Sequence, residues 1–292
     1  MLIWACWGLV AGVPKTASSL FFQAACTTGL LPVVSLFLFS RNLLAGTGRR
    51  RGAALAFASG LCAALGNLGY LEALRRGGET SVVYPLTGIY PLVTVVLAGL
   101  FLKERMNRVQ VVGIVLALAA VTLFNMPAEG PGGGDDAAGI FATAAANLRA
   151  PWMTLSLLAL ACFGVAAVPQ KLATRHISTE LSTVCFAGAF TLVALGILLA
   201  AGVDRSVPAR DWILAFLWGA LTGFGVITMF AAYRDGKAGV VTAVIALNPA
   251  VTAVLAVPVL GDTFGFRKTI ALAFAIAAGV ALSHERSAEP RD

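Results

Sequence analysis

Ten apolar runs follow one another along the chain, each close to the length that crosses a lipid bilayer, with only short breaks between them. They cover approximately residues 2–18, 20–40, 53–74, 80–102, 107–125, 152–174, 178–201, 211–233, 238–260 and 265–283. A hydrocarbon core takes about 20 residues of helix, and only helices and closed barrels satisfy their backbone groups inside one. The breaks carry charge: Arg49-Arg50-Arg51, Arg75-Arg76-Gly77, Lys103-Glu104-Arg105, Arg175-His176, Arg234-Asp235-Gly236 and Arg267-Lys268. With 59% hydrophobic and 12% charged residues, against about 25% charged in a soluble domain, too little polar surface exists for a water-facing exterior. The expected fold class is all-α: a polytopic membrane protein of about ten transmembrane helices. Its net charge of +7 reads as loop topology and not as a nucleic-acid surface.

One connection differs from the rest. Residues 127–150 hold Pro127, Pro131, Gly132-Gly133-Gly134 and Asp135-Asp136, the composition of a flexible linker. It divides the chain into a first half (1–126) and a second half (151–284), followed by a short charged tail (285–292). The start at Met1 lacks the basic region of a signal peptide, so residues 2–18 read as a retained first span. Alternating the loops from a cytoplasmic N-terminus places 13 of the 21 basic residues inside and eight outside. That bias predicts both termini in the cytoplasm and the linker outside. The cysteines Cys6, Cys26, Cys62, Cys162 and Cys185 all lie in apolar runs without ligand spacing, so they read as small core residues, with no metal site.

The two halves repeat. Tyr90-Pro91-Leu92-Val93-Thr94 and Glu104 recur as Asn248-Pro249-Ala250-Val251-Thr252 and Asp262, all at an offset of 158 residues. Arg75-Arg76-Gly77 matches Arg234-Asp235-Gly236, and Ala5-Cys6-Trp7-Gly8 with Lys15 matches Ala161-Cys162-Phe163-Gly164 with Lys171. Five spans per half is an odd number, so the second half enters the membrane from the opposite side. Two inverted five-helix repeats are an arrangement of secondary transporters. The repeat also leads us to expect a shortened first helix, since Pro151 lies eleven residues before Cys162 and only five precede Cys6.

Several stretches resemble one family. They are Trp7-Gly8 with Pro14-Lys15, Ala73-Leu74-Arg75-Arg76-Gly77, Pro85-Leu86 and Tyr90-Pro91-Leu92-Val93-Thr94. Leu102-Lys103-Glu104-Arg105 and Gln110-Val111-Val112-Gly113 complete the first half. In order and spacing they resemble the EamA-type transporters of the drug/metabolite transporter superfamily, over nearly the whole chain. The second half is more degenerate, with Asp262 where the family commonly has glutamate. The resemblance implies ten helices, both termini cytoplasmic, and transport of small metabolites such as amino acids, nucleosides, sugars or drugs.

Polar groups in lipid are costly, about 2.5–3.5 kcal/mol for a central charge, so each needs a reason. Pro91 and Pro249 interrupt the fourth and ninth runs. A proline frees the carbonyl four residues earlier, here Thr87 and Ile245. Such carbonyls serve a substrate or a hinge, or are satisfied by neighbours as a structural kink. Tyr90, Thr94, Asn248 and Thr252 surround the prolines and are candidates for a polar pathway or for helix–helix hydrogen bonds. Lys15 and Lys171 either snorkel to headgroups or form a cationic site for a carboxylate. Glu72 either pairs with Arg75 and Arg76 or couples transport to protons. Gly60, Gly66, Gly69, Gly219, Gly223 and Gly225 read as close helix contacts.

The expected function is a secondary transporter that exports small metabolites, amino acids among them, by alternating access across a prokaryotic inner membrane. Its partners are a small-molecule substrate and the lipid bilayer, with either a proton gradient or facilitative movement driving transport, and no cofactor is expected. A membrane-embedded enzyme lacks HExxH, GxSxG and paired mid-helix aspartates. A channel would not need the inverted repeat, nor a scaffold the matched prolines.

Overall fold

Every one of the ten apolar runs carries helix. The computed structural model describes residues 2–12, 17–77, 83, 87–88, 90–103, 107–125, 150–202, 206–245, 247–248, 251 and 266–283. Linker residues 127–149, the tail, Lys15, Pro249 and Thr252 lie outside the described residues. Among those described there is no strand. The first half gives α1 (Leu2–Gly12), α2 (Ser19–Ala25), α3 (Thr27–Ser35), α4 (Arg49–Arg75), α5 (Tyr90–Leu97) and α6 (Arg108–Asn125). The second gives α7 (Pro151–Thr174), α8 (Thr179–Ala201), α9 (Ala209–Asp235), α10 (Ala238–Ile245) and α11 (Phe266–Ser283). Helices α2 and α3, with a 3₁₀ turn to Phe39, form one apolar unit. Among the described residues, five helical units are long and apolar enough to cross a membrane: Ser19–Phe39, Arg49–Arg75, Pro151–Thr174, Thr179–Ala201 and Ala209–Asp235.

Local chemistry sets the helix ends. Ser18 and Ser178 hold corresponding places in the two halves and cap α2 and α8 alike. Each hydroxyl oxygen accepts a backbone N–H three residues on, from Phe21 and Leu181, at 3.1 Å, which satisfies a donor that the helix itself leaves unpaired. At the start of α6, Asn107 Oδ1 accepts the Gln110 N–H at 2.7 Å while Gln110 Oε1 accepts the Asn107 N–H at 3.2 Å, a reciprocal cap. Helix α5 runs into a π turn over Ala98–Leu102, and Lys103 then turns left-handed at φ 54°, ending the run.

Packing crosses between the halves. Helix α4 of the first half lies chiefly against α7 and α8 of the second, and α9 lies against α1, α2 and α3. Lipid tails are as apolar as leucine, so helices associate in a membrane through close packing. Glycine supplies that closeness at equivalent places. A Cβ on Gly60 would stand 2.5 Å from the Phe186 carbonyl oxygen, and one on Gly219 would stand 1.7 Å from that of Cys26. Gly66 faces the Phe163 ring, and its counterpart Gly225 faces the ring of Trp4. The loop before α4 docks across the halves too: Ser178 N–H donates to Ala45 O at 3.1 Å and Ser178 Oγ to Leu43 O at 2.8 Å.

The largest buried cluster joins α1–α4 to α7–α9, with Trp218, Phe186, Phe190 and Phe230 at its centre. A separate cluster joins α6 to α11 through Ala117, Ala120, Ala275 and Ala278, and a third draws Val95 of α5 and Val240 and Val244 of α10 onto Ile114. The fold therefore divides across the repeats, and not between them. Large apolar side chains face outward, including Leu199 at 88% and Phe101 at 70% exposure. That exterior suits lipid, not water.

Candidate functional site

A cavity opens between the main helix cluster and the α5–α10 pair. It holds about 930 Å³ of empty space, counting its open mouth. Trp4 and Trp7 reach it from α1, Ala63, Asn67 and Tyr70 from α4, and Phe163, Ala166 and Gln170 from α7. Phe186 and Phe190 come from α8, and Thr222, Val226 and Met229 from α9. Thr87, Gly88 and Tyr90 close one side, and Ile245 and Asn248 close another. The repeat is visible in this wall. Trp7 and Phe163 are equivalent, as are Asn67 and Val226, Tyr70 and Met229, Thr87 and Ile245, and Tyr90 and Asn248. Both halves thus contribute matching positions to one space.

The wall is stiffened by aromatic contacts. Trp7 stacks on Trp218 at 4.9 Å between centroids, lies 6.3 Å from the Tyr70 ring, and meets Trp4 edge to face at 5.9 Å. Its indole N–H donates to Thr222 Oγ1 at 3.0 Å, tying α1 to α9. Tyr90 meets Phe163 edge to face at 6.2 Å, as aromatic quadrupoles prefer. Among the described residues that line the cavity, none is charged.

The profile of the EamA-like transporter family matches residues 1–126 and 150–283, one match on each half. The chain belongs to the EamA-like transporter family. Its family is one of transporters. An uncharacterized protein of Methanocaldococcus jannaschii is 38% identical over 71 residues, which are 24% of this chain and 51% of that protein. The chain therefore spans about half the length of that curated relative. A protein solved by crystallography shares the fold at a TM-score of 0.70 and 16% identity, over 97% of this chain and 93% of that one.

The candidate residues separate in this EamA-family fold. Tyr90, Thr87 and Asn248 line the cavity. Pro91 is buried in α5, and Thr87 and Gly88 just before it are helical too; Pro32 and Pro169 also lie inside described helices. Thr94 is fully buried and donates to the Gly164 carbonyl at 3.0 Å. Without a side chain on Gly164, α5 can approach there: a Cβ would fall 2.5 Å from Val93. Thr94 is thus a helix–helix contact and does not line the cavity.

Lys171 is not among the described residues that line the cavity. It donates to the carbonyls at the end of α9: to Tyr233 O in a short contact, and to Gly236 O at 2.7 Å. A cation at a helix C-terminus meets the negative end of the macrodipole and the carbonyls that the helix leaves unpaired. Glu72 also turns away from the cavity. Its carboxylate accepts from Ser19 Oγ in a short contact and pairs with Arg76 Nε at 2.9 Å. This is the i,i+4 ion pair, made by Arg76.

Three further polar residues matter in this fold beyond the candidates that the sequence suggests. Gln170 and Asn67 are buried amides on the cavity wall. Asp211, 2% exposed, accepts the Ala17 N–H at 2.8 Å and joins α9 to the segment before α2. An amide or carboxylate within an apolar run is signal enough for all three. The aromatic lining has no such signal, since Trp and Phe in an apolar run face lipid equally well.

Proposed function

We propose that this transporter carries a small metabolite by alternating access, with the cavity between α4, α7, α9 and the α5–α10 pair as its binding site. The observation that supports this most directly is the matched lining. Residues equivalent under the repeat meet the same space from opposite halves. A cavity built in this way can be closed toward either membrane face by equivalent helix movements, at little difference in energy.

The halves interlock, so the moving bodies in this reading are not the two repeats. They are the main helix cluster and the α5–α6–α10–α11 group, which meet at the cavity. We place the protein in a prokaryotic cytoplasmic membrane with both termini inside, exporting its solute. A carrier needs no cofactor, and membership of a transporter family favours carriage over catalysis. With Glu72 engaged by Ser19 and Arg76, proton coupling has no carboxylate among the described lining residues. A facilitative carrier is the simpler reading.

The test is movement of a labelled metabolite panel in vesicles of each orientation, with and without an imposed pH gradient. We expect saturable movement of at least one solute, and a fall of about tenfold in Asn248→Ala, the worth of one good hydrogen bond to the solute. No movement above empty vesicles for any solute of a broad panel would count against a carrier.

A further inference from the structure

We propose that the cavity selects an uncharged, flat ring compound that donates a hydrogen bond to Gln170. This rests on the reading of the cavity as the binding site and names the chemistry it would take. Three observations carry it.

The first is the wall itself. Trp4, Trp7, Tyr70, Tyr90, Phe163 and Phe190 present aromatic surface from five helical segments. Trp7 packs on Tyr70 and Tyr90 on Phe163, at 6.3 and 6.2 Å between centroids, and a wall of rings held in this way offers a planar guest faces to stack on and edges to meet.

The second is charge. An anion or a zwitterion would need a cationic partner here, and the nearest in sequence, Lys171, is held by the carbonyls ending α9. A cation would need a carboxylate, and Glu72 is held by Ser19 and Arg76. Ring faces attract cations, but a cation stripped of water in a space whose described lining holds no counter-charge remains costly. A neutral guest has no such cost.

The third is Gln170. It lines the cavity, is only 2% exposed, and its Oε1 has no hydrogen-bond partner among the described residues. Buried acceptors are rarely left so. The terminal torsion of a glutamine is broad, so a small turn of the amide presents Oε1 to the space that the side chain already borders. A guest N–H or O–H then supplies the missing bond. A guest of the same shape without a donor leaves it missing.

Labelled indole is the probe, bound to the full chain in lipid nanodiscs. Its competitors are 1-benzofuran, which keeps the shape and loses the donor, indole-3-acetate, which adds an anion, and benzyltrimethylammonium, which is a cation. Indole should bind saturably, and benzofuran should compete about three- to tenfold more weakly, the worth of one net hydrogen bond. Both ions should be weaker again. In Gln170→Met the difference between indole and benzofuran should shrink to about twofold or less, with benzofuran little changed.

The inference is overturned if either ion displaces indole as well as indole itself does. The same holds if the donor preference survives in Gln170→Met, or if a folded chain binds no indole. Should Gln170→Met not fold, the indole and benzofuran comparison on the natural chain decides alone. Binding needs no turnover, so the two readings fail separately. Donor-dependent binding with no solute carried removes only the carrier. Carriage of a charged solute with no donor preference removes only this selectivity.

Discussion

Gly219→Ala is expected to destabilise the protein more than any other single methyl group. The Cβ would stand 1.7 Å from the Cys26 carbonyl oxygen, 2.7 Å from its carbon and 3.0 Å from the Leu30 nitrogen. All three are backbone atoms, so no side chain can swing aside, and α9 must move away from α3. Opposite, Gly29 meets Phe216 O in the same way at 1.8 Å, so the helices touch backbone to backbone at two places. Overpacking of this kind costs about 3 kcal/mol or more where relief requires backbone movement. Association in lipid depends on that closeness, so the variant should melt far below the natural protein in detergent, measured by fluorescence-detected gel filtration after heating. Gly196→Ala is the control, since nothing lies within 4 Å of its added carbon, and it should melt as the natural chain does.

The second large effect is expected at Lys171, and its direction separates a structural cation from a binding one. Lys171→Met keeps the length of the side chain and removes the ammonium. The carbonyls of Tyr233 and Gly236 lose a charged donor at a helix end, which should cost about 2–3 kcal/mol of stability. Lys171→Arg should restore only part of this. A planar fork cannot converge on clustered carbonyls as three ammonium protons do. If Lys171 bound a substrate carboxylate instead, the variant would stay stable and lose anionic solutes selectively. We expect the reverse: a lowered melting temperature with the order of solute preference unchanged.

Much of this architecture is legible before any coordinates. Helix is forced by ten apolar runs, because lipid offers the backbone no other partner. The repeat of Tyr90 with Asn248 and of Trp7 with Phe163 anticipates that both halves present equivalent residues, and all four line the cavity. The glycine positions anticipate close contacts, and Gly60 and Gly219 supply them. Hydropathy does not reveal which helix packs on which. It assigns α4 to the first half, whereas close packing through Gly60 and Gly66 joins it to α7 and α8 of the second. The cations are ambiguous for a related reason. Lys171 is costly in lipid whether it meets a solute or a helix end, and only the position of the α9 carbonyls distinguishes the two. Gln170 follows Pro169 in an apolar run and is legible there as a buried amide, but sequence does not tell which face of α7 it takes.

Alternating access through this cavity is tested most directly by a single cysteine placed at Asn248, with the five native cysteines replaced by alanine. Oriented vesicles would be treated with a membrane-impermeant maleimide from one face or the other. The account predicts labelling from both faces, in each case slowed by a solute that the protein carries, because the same wall is open to each side in turn. Labelling from one face only, under every gradient and solute condition, would contradict it.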